Sequence, residues 1–117
     1  MAFPGTLDIN YYRGDSHEFN VYPKRSNGTV FSLNGYTAEF TIAETRGTVE
    51  TGEGLAIVSD DYTHIKCVIP SGLGSTLDPL KTYVYDIEIR KNDTPYNKVY
   101  TLLTGNINVT DEVTINP

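Results

Sequence analysis

Strict alternation over residues 82–90, TYVYDIEIR, limits what this chain can fold into more than any other feature. Tyr83, Tyr85, Ile87 and Ile89 alternate with Val84, Asp86, Glu88 and Arg90. A period of two gives a strand one apolar face and one mostly polar face. β-Branched and aromatic side chains suit such a pleated, half-buried surface. A second apolar run, 99–109 (VYTLLTGNINV), follows the polar stretch 91–98, KNDTPYNK. Asn, Asp and Pro there mark a hairpin loop, so the two runs are expected to pair antiparallel. The rest of the chain reads as further strands packed around this hairpin.

Residues 1–5 form a short lead, and 6–12 alternate with Leu7, Ile9 and Tyr11 on one face. Arg13-Gly14-Asp15-Ser16 is a turn, and 17–22 a second strand carrying Phe19 and Val21. Pro23 ends it, since proline cannot donate to a ladder, and Asn27-Gly28 supplies a tight turn. Residues 29–34 are a short apolar run, and 36–44 a strand with Tyr36, Ala38, Phe40 and Ile42 on one face. The segment 45–54 holds three glycines and reads as a loop with a weak strand at 48–50. Two strands follow, 55–59 and 63–69, the second with Ile65, Cys67 and Ile69 inward. A short helical turn fits 71–77, where Leu77 and Leu80 are expected to cover the end of the core. The tail 110–117 is a last edge strand or an extended arm.

Seven to eight short strands, frequent turn signals and no long helical period predict an all-β fold. The expectation is a single domain over 1–117, an immunoglobulin-like antiparallel β-sandwich with extended arms at both termini. Leu80-Lys81-Thr82-Tyr83 is similar to the start of the strand that carries a tyrosine corner in such sandwiches. The cysteine pair and buried Trp of antibody domains are absent from the sequence.

The net charge of −6, with no basic cluster larger than a pair such as Lys24-Arg25, argues against nucleic acid as a partner. No apolar run approaches the roughly 20 residues of a membrane helix. The first ten residues lack the basic and apolar regions of a signal peptide, so folding in a cytoplasm is expected. Cys67 is the one cysteine and reads as a small buried hydrophobe. His17 and His64 are expected to face away from the inward residues of their strands, and two scattered His supply no zinc site. A Cys67–His64 dyad fails because residues three apart on a strand point to opposite faces. Asp60-Asp61 sits in a turn and Asp86/Glu88 lies beside Arg90, so neither pair reads as glycosidase-like acid and base. The RGD tripeptide at 13–15 is explained by turn chemistry. No catalytic, metal or cofactor residues are expected.

Four pieces occur in a telling order: LDINYYRGDSHEFNV, SLNGYTAEFTIAE, PSGLGSTLDPLKTYVYDIEIRK and VYTLLTGNINVTDEVT. An RGD turn precedes an apolar strand, and Leu33, Gly35 and Tyr36 make a Leu-x-Gly-aromatic step. Tyr83 or Tyr85 with Asp86 and Ile87 comes next, followed by Leu102, Leu103 and Gly105, then Val113 and Thr114. This order resembles the small immunoglobulin-like domains of tailed-bacteriophage virion proteins, such as the N-terminal domain of baseplate upper proteins and related tail, neck and head-fibre modules.

The resemblance implies a non-enzymatic structural protein, an assembly or attachment module of the tail, baseplate or neck. It would be assembled in the bacterial host cytoplasm and carried in the virion. Its expected partners are other virion proteins and copies of itself, in a trimer or ring. The terminal arms and surface tyrosines would make the contacts, through Phe3, Leu7, Tyr11, Tyr12, Tyr96, Tyr100, Val113 and Ile115. A capsid decoration protein is the alternative within this class. A carbohydrate- or receptor-binding module, with Tyr96 and Tyr100 stacked on sugar faces, is the alternative outside it.

Overall fold

The computed structural model describes residues 4–47 and 50–111. The fold is all-β. Its strands are β1 (Gly5–Thr6), β2 (Ile9–Tyr12), β3 (His17–Val21), β4 (Thr37–Ala43), β5 (Glu50–Val58), β6 (Ile65–Ile69), β7 (Thr82–Lys91) and β8 (Lys98–Thr110). One helical turn, α1 (Ser71–Gly74), precedes β7. The strands follow one path, β1-β8-β7-β4-β5-β6-β3, with β2 also on β8. β5 carries the path round a corner: its first half pairs with β4 and its second half with β6.

β7 and β8 pair antiparallel as their alternation requires, from Thr82↔Asn108 to Lys91↔Lys98. The register slips once, so that Ile87 faces Leu103 and Glu88 faces Thr101. A one-residue slip inverts the two faces of a strand. Inward residues of β8 are accordingly even-numbered before it (Tyr100, Leu102) and odd-numbered after it (Gly105, Ile107, Val109). The bulge reconciles the Leu102-Leu103 doublet with a continuous strand. Inward residues of both limbs of the sheet form one core, with Ile42, Ile65, Cys67, Ile69, Ile87 and Ile107 fully buried. Phe19 of β3 lies edge-on to Phe40 of β4 and to Tyr85 of β7, at 5.8 and 6.5 Å, so the two limbs meet there.

The structure corrects several expectations. The N-terminal strand pairs parallel to β8, Gly5↔Leu103 and Ile9↔Ile107, so the sheet is not antiparallel throughout. No hairpin joins these segments, so nothing in the connection dictates an antiparallel sense. The strand also breaks at Leu7 and Asp8. Asn106 N–H donates to the Asp8 carboxylate (3.1 Å), and Tyr85 Oη donates to the Leu7 carbonyl (2.5 Å). Leu7 is thereby turned outward, while Ile9 and Tyr11 stay buried.

The segment read as a loop, 45–54, ends in strand, because β5 begins at Glu50. Two of its three glycines, Gly52 and Gly54, occupy inward positions of β5. A Cβ on Gly54 would lie 2.6 Å from the Phe40 ring, and one on Gly52 would lie 2.5 Å from Leu73. Large neighbours fill the places where side chains would be. His17 also faces inward: it pairs with buried Ile69 and contacts the rings of Tyr11 and Phe19 at 6.3 and 5.9 Å. It shares the parity of Phe19 and Val21, which places all three on one face. Leu77 is buried as expected, but Leu80 is 93% exposed and covers nothing. Its N–H is turned onto the Asp78 carboxylate at 2.9 Å.

The Asp78 backbone N–H donates to the hydroxyl of Tyr83 (2.8 Å), tying the start of β7 to the loop ahead of it. This is the geometry of a tyrosine corner. Tyr83→Phe is expected to destabilise the fold by about 1–2 kcal/mol by leaving that donor unpaired. Urea denaturation would show a lower midpoint with an unchanged slope.

Candidate functional site

Two surface features stand out. The first is apolar. On the outer side of β5, Leu55 and Ile57 are 51% and 53% exposed, and Leu55 lies opposite half-buried Val68 of β6. Lys66, opposite Ile57, is bridged to Glu18 of β3 at 3.5 Å. The inward neighbours on β5 are Gly54, Ala56 and Val58, which pack against the core side. Alternation thus forces Leu55 and Ile57 outward, where a solvated strand would normally carry polar residues. Along this half, β5 pairs with β6 on one side and with no strand on the other among the described residues.

The second feature is a cleft of about 380 Å³ at the hairpin end of β7 and β8. Phe31, Tyr36 and Tyr100 form its aromatic part, with centroids 5.6 Å (Phe31–Tyr36), 6.1 Å (Phe31–Tyr100) and 6.4 Å (Tyr36–Tyr100) apart. Arg25 stands 5.5 Å over the Phe31 ring and Lys91 5.6 Å over the Tyr36 ring. Lys98, Ser32 and Asn34 complete the lining. Burial, and secondarily Tyr100, pushes the Tyr36 hydroxyl above its ordinary range, so it stays protonated. The hydrogen bond from Lys98 to Asp93 (3.3 Å) holds the ammonium charged.

The contact residues expected from the sequence do not gather in one place. Tyr11 is 1% exposed, with its hydroxyl on the Asp15 carbonyl at 2.5 Å, so it is a core residue with no surface to offer a neighbour. Tyr12 lies at the Thr110 end of β8, and Tyr100 near the opposite end. Ten strand residues separate these positions by about 30 Å. Leu7 and Tyr12 are exposed on the N-terminal segment, and Tyr96 is 68% exposed in the hairpin turn. Among the described members of the expected set, Tyr100 alone lines the cleft. Phe3, Val113 and Ile115 lie outside the described residues, as does the tail beyond Asp111.

Sequence reasoning missed Arg25, Phe31, Lys91 and Lys98. Two of these were within reach: Lys91 and Lys98 bracket the hairpin loop, and the antiparallel ladder sets them opposite one another. Nothing local connects Arg25 or Phe31 to them.

Asp61, Asp86, Glu88 and His64, all weighed for chemistry, have structural partners. The Asp61 carboxylate accepts from Ser59 Oγ (2.7 Å) and Thr63 Oγ1 (2.7 Å), which close the turn between β5 and β6. The Ser59 bond foremost holds that carboxyl below its usual range. Asp86 is bridged to Arg46 at 2.7 Å, and Glu88 to Arg90 at 3.0 Å. His64 lies over the Tyr22 ring at 4.9 Å. Among the described residues, no three His, Cys, Asp or Glu side chains converge as a metal site. No helix among the described residues is long and apolar enough to cross a membrane.

No family model matches the chain, and no curated protein matches it.

Cys67 is fully buried, and burial pushes its thiol up to about 12. A thiolate is the reactive form. A disulfide reagent at pH 8 should therefore leave the folded chain unlabelled and modify one thiol per chain in denaturant. Rapid labelling of the folded chain would show that β6 opens locally.

Proposed function

We propose that this chain is a non-enzymatic assembly module of a tailed-phage virion, working at the tail, baseplate or neck. The carrying observation is the outward pair Leu55 and Ile57 on a half-strand with one edge unpaired among the described residues. Isolated exposed apolar residues are ordinary, but a row of them beside an unpaired backbone edge is a template for a neighbouring chain. Burying what remains exposed of each side chain contributes about 1 kcal/mol. Backbone pairing along the edge would add register.

The order of the strands supports the immunoglobulin-like part of the reading. β3-β6-β5 and β4-β7-β8 follow one another as B-E-D and C-F-G do in immunoglobulin sandwiches, and the Tyr83 corner sits where that fold places it. The motif residues also have consistent structural roles. Arg13, Gly14 and Asp15 make the turn into β3, Gly35 takes a left-handed turn (φ 82°) ahead of β4, and Gly105 admits the N-terminal strand. In this reading the partners are other virion proteins and copies of the chain, in a trimer or ring.

Sedimentation velocity on the isolated chain at micromolar concentrations tests the surface. The chain is expected to self-associate, and Leu55→Glu with Ile57→Glu to hold it monomeric while the melting temperature stays within a few degrees. An association unchanged in the double variant would move the contact elsewhere. A chain that stays monomeric and also fails to join purified tail structures would overturn the assembly reading.

A further inference from the structure

The cleft at the hairpin end gathers three cations, Arg25, Lys91 and Lys98, beside one nearby carboxylate among the described residues, that of Asp93. The chain carries nine Lys and Arg against fifteen Asp and Glu, so carboxylates are in excess. Arg13, Arg46, Lys66, Lys81, Arg90 and Lys98 each have a carboxylate within 4 Å. Lys24, Arg25 and Lys91 have none that close among the described residues, and the last two line the cleft. Both are held over aromatic rings instead. Lys98 stands across the ladder from Lys91, its charge partly taken up by Asp93, which acts more weakly on Lys91 and leaves the group net positive.

The aromatic part does not form a slot for a flat base. Phe31–Tyr36, Phe31–Tyr100 and Tyr36–Tyr100 meet at 58°, 84° and 40°, so the three rings offer no parallel pair of walls. A cation also sits over one face each of Phe31 and Tyr36. What the cleft presents is two fixed cations, tilted ring surfaces, and the hydroxyl and amide groups of Tyr36, Tyr100, Ser32 and Asn34. These suit a ligand that is puckered, rich in hydroxyls and negatively charged. The volume lies in the range of small-ligand sites.

We propose that this cleft binds an anionic saccharide, its acidic group between Arg25 and Lys91 and its ring against Tyr36 and Tyr100. Arg25 engages a carboxylate, sulfate or phosphate through paired N–H donors, and Lys91 adds a compact charge. The site uses neither Leu55 nor Ile57, so its failure leaves the assembly reading untouched, and the converse holds.

The test is titration of the full chain, followed by amide chemical shifts and calorimetry. The probes are trigalacturonate, a sulfated chondroitin tetrasaccharide and glucose 6-phosphate, with maltotriose and inorganic phosphate as controls. At least one acidic saccharide is expected to bind about tenfold tighter than either control, as one charge-assisted hydrogen bond supplies. The shifts should centre on Phe31, Asn34, Tyr36, Lys91 and Tyr100, and the three probes distinguish which acid is preferred. Arg25→Gln and Lys91→Gln should each weaken binding about tenfold and flatten its salt dependence. Tyr100→Ser should weaken it with the salt dependence retained, and thermal melts confirm that all three variants fold. Silence with all three acidic probes, equal binding of maltotriose or of phosphate alone, or shifts centred elsewhere would overturn the proposal.

Discussion

The carbonyl of Leu7 is gripped between Tyr85 Oη, which donates to it at 2.5 Å, and the bare backbone of Gly105, where a Cβ would stand 2.0 Å away. Much of the architecture depends on this approach. It seats the N-terminal segment parallel to β8, breaks that segment at Leu7 and Asp8, and delivers Ile9 and Tyr11 to the core. Burial pushes the Tyr85 hydroxyl up to about 12, so the donor keeps its proton at any ordinary pH. The β7–β8 hairpin is therefore both the longest pairing of the sheet and the dock for the first strand.

Tyrosine serves this chain in three distinct ways, which explains its abundance beside an absence of Trp. Tyr11, Tyr83 and Tyr85 are buried rings whose hydroxyls tie to the backbone at Asp15, Asp78 and Leu7. A buried phenol needs such a partner, and each of these bonds fixes a turn or a strand break. Tyr36 and Tyr100 are half-buried and shape the cleft, while Tyr12 and Tyr96 stand in solvent. The same residue type thus makes corners, walls and surface.

How far the sequence shows this follows from the range of the interactions. Strands with clean alternation, β4, β6, β7 and most of β8, are legible because their pattern is local. The second half of β5 is legible too, as the strand expected at 55–59. Its first half is not, because glycine at its inward positions mimics a loop until Phe40 and Leu73 are seen to fill the space. The parallel docking of β2 is invisible for the same reason: its partner is about a hundred residues away. Tyr11 could not be told from Tyr12 as a contact residue by type, although their opposite parity separates one as core and the other as surface. The cleft draws on separate segments, so of its lining only Tyr100 is legible as a contact residue, and its charge character comes from folding.

The functional account joins a rigid β scaffold to two outward features, an apolar half-strand with an open edge and a basic aromatic cleft. A module of this kind acts by where it sits and what it holds, with the fold supplying fixed geometry. The central claim, that the chain is a part of a phage particle at its tail, baseplate or neck, is tested most directly by its copy number. Quantitative mass spectrometry of purified particles, referenced to the major capsid protein, measures it. The account predicts a fixed count between a handful and about two dozen, set by the symmetry of a ring or trimer. Hundreds of copies would place the chain on the head instead, and its absence from the particle would contradict the account.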